Sequence, residues 1–201
     1  MVKVYSIEGV TPVVHPSTYV HLSAVIIGDV VIGPDCYIGP NACLRGDFGR
    51  ILIERGVNIQ DCCIVHGFPE RDTVVEENGH IGHGAVLHGC VVRRDALVGM
   101  NAVVMDGAEV GPESVVAAGA IVPAGRKLPA RSLVVGAPAK VLRTLSDDDV
   151  ARKREGTATY HQLTQRCLAS LREVAPQTHV APDRRRLELP GLRPLTQRPS
   201  P

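Results

Sequence analysis

Three histidines, His66, His83 and His88, lie in the segment 64–89, each within a pattern of aliphatic and glycine residues. Neutral imidazole is a common ligand of zinc, and three imidazoles plus one water make a catalytic zinc site with an open position. We therefore interpret the three histidines as ligands of one Zn2+, with Fe2+ and Co2+ as alternative ions. The competing interpretation is that they are exposed polar residues on a repetitive surface.

The pattern around the histidines is a six-residue repeat of branched aliphatic residues, often followed four positions later by a small side chain. A period of six fits neither an α-helix nor a hairpin sheet, but it is the signature of a parallel β-helix. We therefore predict an all-β parallel β-helix, with small residues, Gly and Asn at its corners. A sandwich of short strands, the alternative, would show turn signals roughly every 8–12 residues. The aliphatic positions include Val14, Val20, Ile26, Ile32, Ile38, Leu44, Ile51, Val57, Ile64, Val86 and Val92, the small ones Ala24, Cys36, Ala42, Ala85 and Cys90, and the asparagines Asn41, Asn58 and Asn101.

The repeat divides the chain into a β-helix domain over residues 1–143, a C-terminal helix over 144–174 and a Pro- and Arg-rich tail over 175–201. Residues 1–13 are predicted to form a lead-in strand that covers the first coil. The segment 67–79 breaks the repeat, and we predict that it loops out from the coil. Such excursions on a rigid repeat scaffold often carry function.

Ser146, which precedes three aspartates, is a predicted helix N-cap, because its hydroxyl can accept from free backbone N–H groups and acids suit the positive end of the helix dipole. The helix is predicted to run to about Glu173, with a kink at Gly156. The tail from Pro176 is predicted to be extended. The predicted apolar face of the helix comprises Val150, Leu163, Cys167, Leu168 and Leu171.

The repeat also predicts where the three imidazoles lie, because each follows an aliphatic residue by two positions and all three would share one slot. With Ile64 and Val86 pointing inward on one wall, the histidines that follow them lie on adjacent coils. His66 and His88 are then about 5 Å apart at the backbone. His83 lies around a corner on the preceding wall. One chain cannot easily bring all three to one ion, whereas cyclic packing of identical chains can, and we predict a homotrimer with metal sites between subunits.

Four polar residues are predicted to gather at the same subunit boundary. Arg45 and Asp47 precede His66 by one coil, and Gln60 and Asp61 lie on the preceding wall. Arg45 could pair with a carboxylate across the boundary, while Gln60 and Asp61 could orient a water or the ligating rings. A purely structural role for Arg45 and Asp61 is an equal alternative.

The remaining histidines and the cysteines carry weaker signals. His80 is a candidate for supporting the ligands. The six cysteines contain no C-x-x-C pair, so we expect neither a disulfide framework nor a thiolate zinc site. Cys36 and Cys90 are predicted packing residues, and reactivity at Cys62 or Cys63 stays open. The histidines without comparable partners are His15, His21, His161 and His179.

Composition restricts the function further. The formal net charge is +1, so the sequence has no large excess of basic residues for binding nucleic acid or an anionic membrane surface. No run approaches the ~20 apolar residues that span a bilayer. We therefore expect a cytoplasmic protein that binds neither nucleic acid nor membrane.

The segments RGDFGR, NIQD and HIGHGAVLHGC, together with His66, resemble the γ-class carbonic anhydrase family of hexapeptide-repeat proteins over residues 1 to about 172. The resemblance implies a left-handed β-helix and a homotrimer whose ion is held by His66 and His88 of one chain and by His83 of the partner subunit. The catalytic and supporting residues that it implies are Arg45, Asp47, Gln60, Asp61 and, from the terminal helix, Tyr160.

Within this family the same segments are most similar to the branch of phenylacetic acid degradation and carnitine operon proteins. The resemblance implies a metal-dependent thioesterase of the phenylacetate-degradation type, which clears dead-end acyl-CoA thioesters. Two departures from the prototype anhydrase agree with it: Phe48 stands where an acid is expected, and the loop after His66 is short. Reversible hydration of CO2 to bicarbonate is the runner-up. A hexapeptide acyltransferase with a histidine base and a non-catalytic accessory protein of CoA-ester metabolism also stay open.

Overall fold

The computed structural model describes residues 2–187, which form a parallel β-helix of about seven turns followed by one α-helix. The predicted parallel β-helix with a C-terminal helix is thereby confirmed. Short strands build three walls, and within each wall the strands of successive coils pair in parallel. The segment 188–201, the last part of the predicted extended tail, lies outside the described residues.

Each wall collects one strand from most coils of the chain. Wall one contains β2 (Val13–Val14), β9 (Thr73–Val75), β12 (Val91–Val92) and β15 (Glu109–Val110). Wall two contains β3 (Tyr19–Val20), β5 (Tyr37–Ile38), β7 (Asn58–Ile59), β10 (His80–Ile81), β13 (Leu97–Val98), β16 (Val115–Val116), β18 (Ser132–Val135) and β19 (Lys140–Thr144). Wall three contains β1 (Lys3–Tyr5), β8 (Ile64–His66), β11 (Val86–His88), β14 (Val103–Val104) and β17 (Ile121–Val122). Two longer strands, β4 (Val25–Ile32) and β6 (Cys43–Ile53), run from wall three round a corner into wall one.

The aliphatic repeat points into the core, with one correction on wall three. There Leu44 pairs with Val65 and Val65 pairs with Leu87, and all three side chains are fully buried. The predicted inward residue Ile64 is instead 49% exposed, and Val86 is only partly buried. The prediction was wrong by one position because each of these strands offers two adjacent aliphatic side chains, and only the pairing register selects between them.

The corners combine small buried side chains with left-handed backbone, as predicted. Asn41 and Asn101 adopt φ angles of 57° and 55°. The corner assignment of Asn58 was wrong, because it lies within β7 with its side chain buried. Burial raises the pKa of Cys36 to about 11 and that of Cys90 to about 12, so both are protonated packing residues. The small residues with no exposed surface are Ala24, Cys36, Ala42, Ala85 and Cys90.

Different elements close the two ends of the β-helix. At the first end β1 pairs in parallel with β4, so the predicted lead-in strand is part of wall three. At the last end β18 pairs in parallel with β16 and antiparallel with β19. The reversal of direction at β19 ends the parallel stack.

The excursion after His66 is shorter than the predicted interval 67–79. Only residues 67–72 leave the walls, because the chain returns as β9, in which Thr73 and Val75 are fully buried. The prediction failed because a polar residue occupies an inward position. The Thr73 hydroxyl is satisfied there by donating to the His66 carbonyl at 2.8 Å.

Helix α1 (Asp147–Ser170) begins after the predicted N-cap Ser146 and ends three residues before the predicted Glu173. The Ser146 hydroxyl accepts from the Asp149 N–H, and the Asp149 carboxylate accepts from the Ser146 N–H. This reciprocal capping box satisfies two backbone donors at the helix start.

The buried face of α1 is more polar than predicted. The helix packs on wall two against β3 and β5. Val150 is buried, but Leu168 and Leu171 of the predicted apolar face are exposed. On β3, β5 and β10 the outward residues of wall two are Tyr19, Tyr37 and His80, so polar helix residues can pack there. The remaining buried positions of α1 are Lys153, Thr157 and Thr164. Within residues 2–187 no helix is long and apolar enough to cross a membrane.

Gly156 lies inside α1, which is continuous from Asp147 to Ser170. A Cβ placed on Gly156 would meet no atom within 4 Å. We expect Gly156→Ala to raise the free energy of unfolding by about 0.5–1 kcal/mol, because alanine loses less backbone entropy in a helix interior. Denaturant unfolding of the two proteins measures the difference, and a destabilised variant would contradict the open environment of Gly156.

Candidate metal site

His66 and His88 are the last residues of β8 and β11, and they pair with each other across adjacent coils as predicted. Arg45 takes the same position one coil earlier, paired with His66. All three residues directly follow a buried core residue, so their side chains point outward at one corner. The predicted shared slot is wrong for His83, which follows the inward Ile81 by two positions.

The two imidazoles of this pair face each other, with Nδ1 of His66 3.0 Å from Nε2 of His88. In a tetrahedral zinc site with Zn–N bonds of about 2.0–2.1 Å, two ligating nitrogens lie ~3.3 Å apart. The observed separation therefore fits two ligands of one ion. Among residues 2–187 of one chain, no group of three or more His, Cys, Asp or Glu side chains is arranged to hold a metal ion.

Asp47 holds the other ring nitrogen of His66, because its Oδ1 lies 3.1 Å from Nε2. A guanidinium nitrogen of Arg45 lies 3.0 Å from the same Nε2. One nitrogen cannot donate to the carboxylate and accept from the guanidinium at once. Donation to Asp47 leaves the lone pair of Nδ1 directed at His88, and Arg45 then offsets the charge of Asp47 at 3.6 Å.

Asp106 holds His88 in the same way, with its Oδ1 2.5 Å from Nδ1 of the ring. A carboxylate on the second ring nitrogen fixes the tautomer and orientation of a metal-ligating histidine. Asp106 was not among the residues predicted from the sequence. The signal was its spacing of 18 residues after His88, which is the length of one coil in this part of the chain.

We expect Asp106→Asn to weaken Zn2+ binding about 10–100-fold, since an amide in place of the carboxylate lowers the basicity of the His88 ring. Competition with chelators of graded affinity measures the change. Asp29→Asn is the matched control, because Asp29 lies at the same corner but pairs with Arg50. Equal zinc affinity in Asp106→Asn and the wild type would remove Asp106 from the site.

His83 lies in the corner turn between β10 and β11, rather than on the preceding wall as predicted. It therefore stands at the start of the wall-three strand that ends in His88. Asp61 Oδ2 lies 3.1 Å from its Nδ1, and the Tyr160 hydroxyl lies 3.5 Å from its Nε2. Like the other two rings, His83 has one nitrogen on a carboxylate, and its second nitrogen faces the Tyr160 hydroxyl.

Tyr160 reaches this corner from α1. Its ring makes edge contacts with Tyr37 and His80, with centroids 5.4 Å and 5.2 Å away. Burial, assisted by the charges of Asp61 and Cys63, raises the pKa of Tyr160 to about 12. The hydroxyl therefore stays protonated at neutral pH and can donate a hydrogen bond.

Gln60 is buried beneath the His83 corner. Its NH2 group lies 2.9 Å from the Asn58 side-chain oxygen and 2.7 Å from Nε2 of His80, and its carbonyl accepts from the His83 N–H at 3.2 Å. Burial, then the charges of Lys153 and His83, lowers the pKa of His80 to about 3, so His80 is a neutral acceptor. With both amide hydrogens used, Gln60 holds the corner in place and has none left to donate to a water. His80 contacts the site through Gln60 and through the Tyr160 ring.

Two loops stack on each other beside the His66–His88 pair. The first is residues 46–50 within β6, and the second is the excursion 67–72. A Cβ on Gly67 would lie 1.9 Å from the Gly49 carbonyl oxygen. The two backbones are therefore in direct contact, which leaves no room for a side chain between the loops.

The stacked loops place one phenylalanine each against the imidazoles. The Phe48 ring centroid lies 5.3 Å from that of His66, and the Phe68 centroid lies 5.7 Å from that of His88. Both phenylalanines are exposed, by 63% and 42%. From the sequence, Phe48 was predicted only to replace an expected acid, and Phe68 was not predicted to lie at the site.

The remaining predicted residues lie outside this arrangement. Cys63 is buried, and burial raises its pKa to about 11, so it is a packing thiol. Cys62 is exposed in the corner with a φ of 59°. The other four histidines, His15, His21, His161 and His179, contact Ser17, Ser23, Gly56 and Thr178 in that order.

Comparison with known proteins places the chain in a family, although no family model matches it. The carnitine operon protein CaiE of Proteus sp. (strain LE138) is 54% identical over 189 residues, which cover 94% of this chain and 95% of that protein. CaiE of Salmonella agona (strain SL483) is 56% identical, over 92% of this chain and 93% of that protein.

Two solved structures share the fold at substantial identity. A Bacillus cereus protein, described provisionally as an acetyltransferase, has a TM-score of 0.82 and 32% identity, over 84% of this chain and 98% of that one. A hexapeptide transferase family protein from Anaplasma phagocytophilum has a TM-score of 0.78 and 34% identity, over 81% of this chain and 96% of that one. The hexapeptide-repeat resemblance and its carnitine operon branch are thus confirmed. The chain belongs to the CaiE family of hexapeptide-repeat proteins.

Proposed function

We propose that the protein is a metal-dependent hydrolase that cleaves acyl-CoA thioesters. The observation that carries the proposal is the 3.0 Å approach of Nδ1 of His66 to Nε2 of His88, with each ring backed by a carboxylate. The names of the relatives, carnitine operon protein and acetyltransferase, both point to acyl-group metabolism. In the reaction the acyl C–S bond breaks, and water supplies a hydroxyl to the acyl carbon and a proton to the thiol.

The proposed ligands are His66 and His88 of one protomer and His83 of the partner subunit, in a homotrimer with one ion at each boundary. His83 suits this role because Asp61 holds its Nδ1, its Nε2 has the Tyr160 hydroxyl beside it at 3.5 Å, and its side chain is 47% exposed. A divalent ion such as Zn2+ supplies Lewis-acid chemistry and a water that ionises near neutral pH.

The chain's own residues orient the rings and stabilise charge. Asp47, Asp61 and Asp106 each fix the tautomer of one imidazole, so that the ligating nitrogens keep their lone pairs. Tyr160, a protonated phenol 3.5 Å from His83, can donate to the oxyanion that develops on the thioester carbonyl. Arg45 balances the charge of Asp47, so the pair adds little net charge beside the site.

Carbonic anhydrase activity is the second candidate, because the same imidazole set suits attack on CO2. Fast CO2 hydration also needs rapid proton export. Phe48, which stands where the resemblance to the anhydrases expects an acid, lies against His66 and cannot carry a proton. Thioester cleavage makes no such demand, and this favours the hydrolase.

Steady-state assays of the zinc- and iron-loaded full chain with acyl-CoA thioesters, with and without an amine acceptor, and with CO2 test the proposal. We expect thioester turnover that is lost on chelation and in His88→Ala. Full activity after chelation would favour a hexapeptide acyltransferase with a histidine base. Fast CO2 hydration without thioester turnover would favour the anhydrase, and an unchanged biological effect of His88→Ala would favour an accessory protein.

A further inference from the structure

The chain has only two phenylalanines, and both lie against the rings of the proposed metal ligands. Aromatic residues make up 3% of the sequence, and the core contains no phenylalanine. Neither Phe48 nor Phe68 therefore belongs to the hydrophobic core. They form an exposed apolar surface, here called the phenylalanine platform, at the edge of the imidazole pair.

The platform is held rigidly by the loops that carry it. The direct contact of the Gly49 and Gly67 backbones keeps the two loops from sliding. The Phe68 carbonyl accepts from the Arg71 N–H at 3.2 Å, which closes a tight turn around Pro69. A Cβ on Gly89 would lie 3.1 Å from the Cβ atom of Phe68, so the Gly89 backbone packs closely against Phe68. These contacts hold the backbone that carries the two rings.

The polar side chains beside the platform already have partners. Asp47 bonds to His66, Asp106 bonds to His88, and Arg45 contacts Asp47. A ligand group that covers the two phenylalanines therefore gains burial of apolar surface rather than new hydrogen bonds. A thioester whose carbonyl lies at the imidazoles can place its acyl substituent against this platform.

We propose that the phenylalanine platform binds the acyl group of the substrate and selects apolar acyl chains or rings larger than acetyl. The inference rests on the proposed thioesterase function and names its substrate class. Carbon dioxide has no group that could use the platform.

The test compares kcat/KM of the zinc-loaded full chain for acetyl-, butyryl-, hexanoyl- and benzoyl-CoA. We expect the wild type to prefer hexanoyl- and benzoyl-CoA over acetyl-CoA by about tenfold or more, and Phe48→Ala and Phe68→Ala each to remove most of that preference. Phe48→Leu keeps apolar bulk and should retain part of it. Leu142→Ala is the matched control, because Leu142 is 63% exposed like Phe48 but lies in β19 at the far end of the β-helix.

A hexanoyl-to-acetyl ratio that is unchanged in both alanine variants would overturn the inference while the hydrolase proposal stood. A changed subunit mass in sedimentation, with an unchanged ratio, would also overturn it, because the phenylalanines would then serve contact between copies. Calorimetric titration with the thioethers S-hexyl-CoA and S-methyl-CoA measures binding to the platform without hydrolysis. If no thioester is hydrolysed but S-hexyl-CoA binds more tightly and only with both phenylalanines present, the platform stands and the hydrolase proposal fails.

Discussion

The His83→Ala variant is expected to bind Zn2+ more than about a hundredfold more weakly than the wild type and to lose thioester hydrolysis. Loss of a residue that merely supports a ligating histidine already costs about 10–100-fold in metal affinity, and a lost ligand should cost more. The β-helix should survive, because His83 lies in an exposed corner turn outside the core. Metal analysis and chelator competition, with subunit mass from sedimentation, measure the result.

We expect about one ion per chain and a trimer in the wild type, and an ion-free β-helix in the variant. His179→Ala, which replaces an exposed histidine beside Thr178, is the matched control and should bind zinc as the wild type does. If His83→Ala retained its zinc, the ion would not be shared between subunits, and His66 and His88 would need another third ligand.

Gly67→Ala is expected to destabilise the fold and the metal site together. The added Cβ would lie 1.9 Å from the Gly49 carbonyl oxygen, and backbone on both sides has to move to relieve the clash. Overpacking of this kind costs about 1–3 kcal/mol of unfolding free energy. Because Gly67 directly follows His66, movement of the loop also turns the imidazole away from His88, and zinc affinity should fall.

Denaturant unfolding and chelator competition measure the two effects of Gly67→Ala. Gly156→Ala makes the same chemical change where the Cβ meets nothing, so it controls for the loss of a glycine as such. Unchanged stability and unchanged zinc affinity in Gly67→Ala would show that the two loops do not rely on the close backbone contact.

The fold was largely predictable because the repeat recurs in nearly every coil, so one missed position does not change the pattern. The helix start was predictable because Ser146 and the aspartates after it act locally. The register of wall three was not, because Ile64 and Val65 are both aliphatic and only pairing with Leu44 shows which one points inward. The polar buried face of α1 was missed because its partners lie on a distant wall.

The histidines of the candidate site were predictable from the sequence, but some of the contacts that hold them were not. Imidazoles at this spacing suggest a metal whatever the register, so the error at Ile64 did not affect their choice. Asp106 was missed because its contact with His88 depends on coil length, which differs along the chain: 18 residues there, but 22 between His66 and His88. The contacts of the Gln60 amide with His80 and Asn58 were not foreseen, because the sequence does not show which side chains lie beside Gln60.

The antiparallel turn-back at β19 has a consequence for the behaviour of the protein at high concentration. A parallel β-helix has unpaired strand edges at both ends. Each of these edges could pair with the strands of another molecule. The reversed strand β19 presents the wrong polarity for such growth, and its Lys140 and Arg143 add charge at that edge. At the other end Pro12 and Pro16 flank β2 and lack the N–H groups that a neighbouring strand would need. The reversed strand at one end and the prolines at the other thereby disfavour edge-to-edge growth of the β-helix.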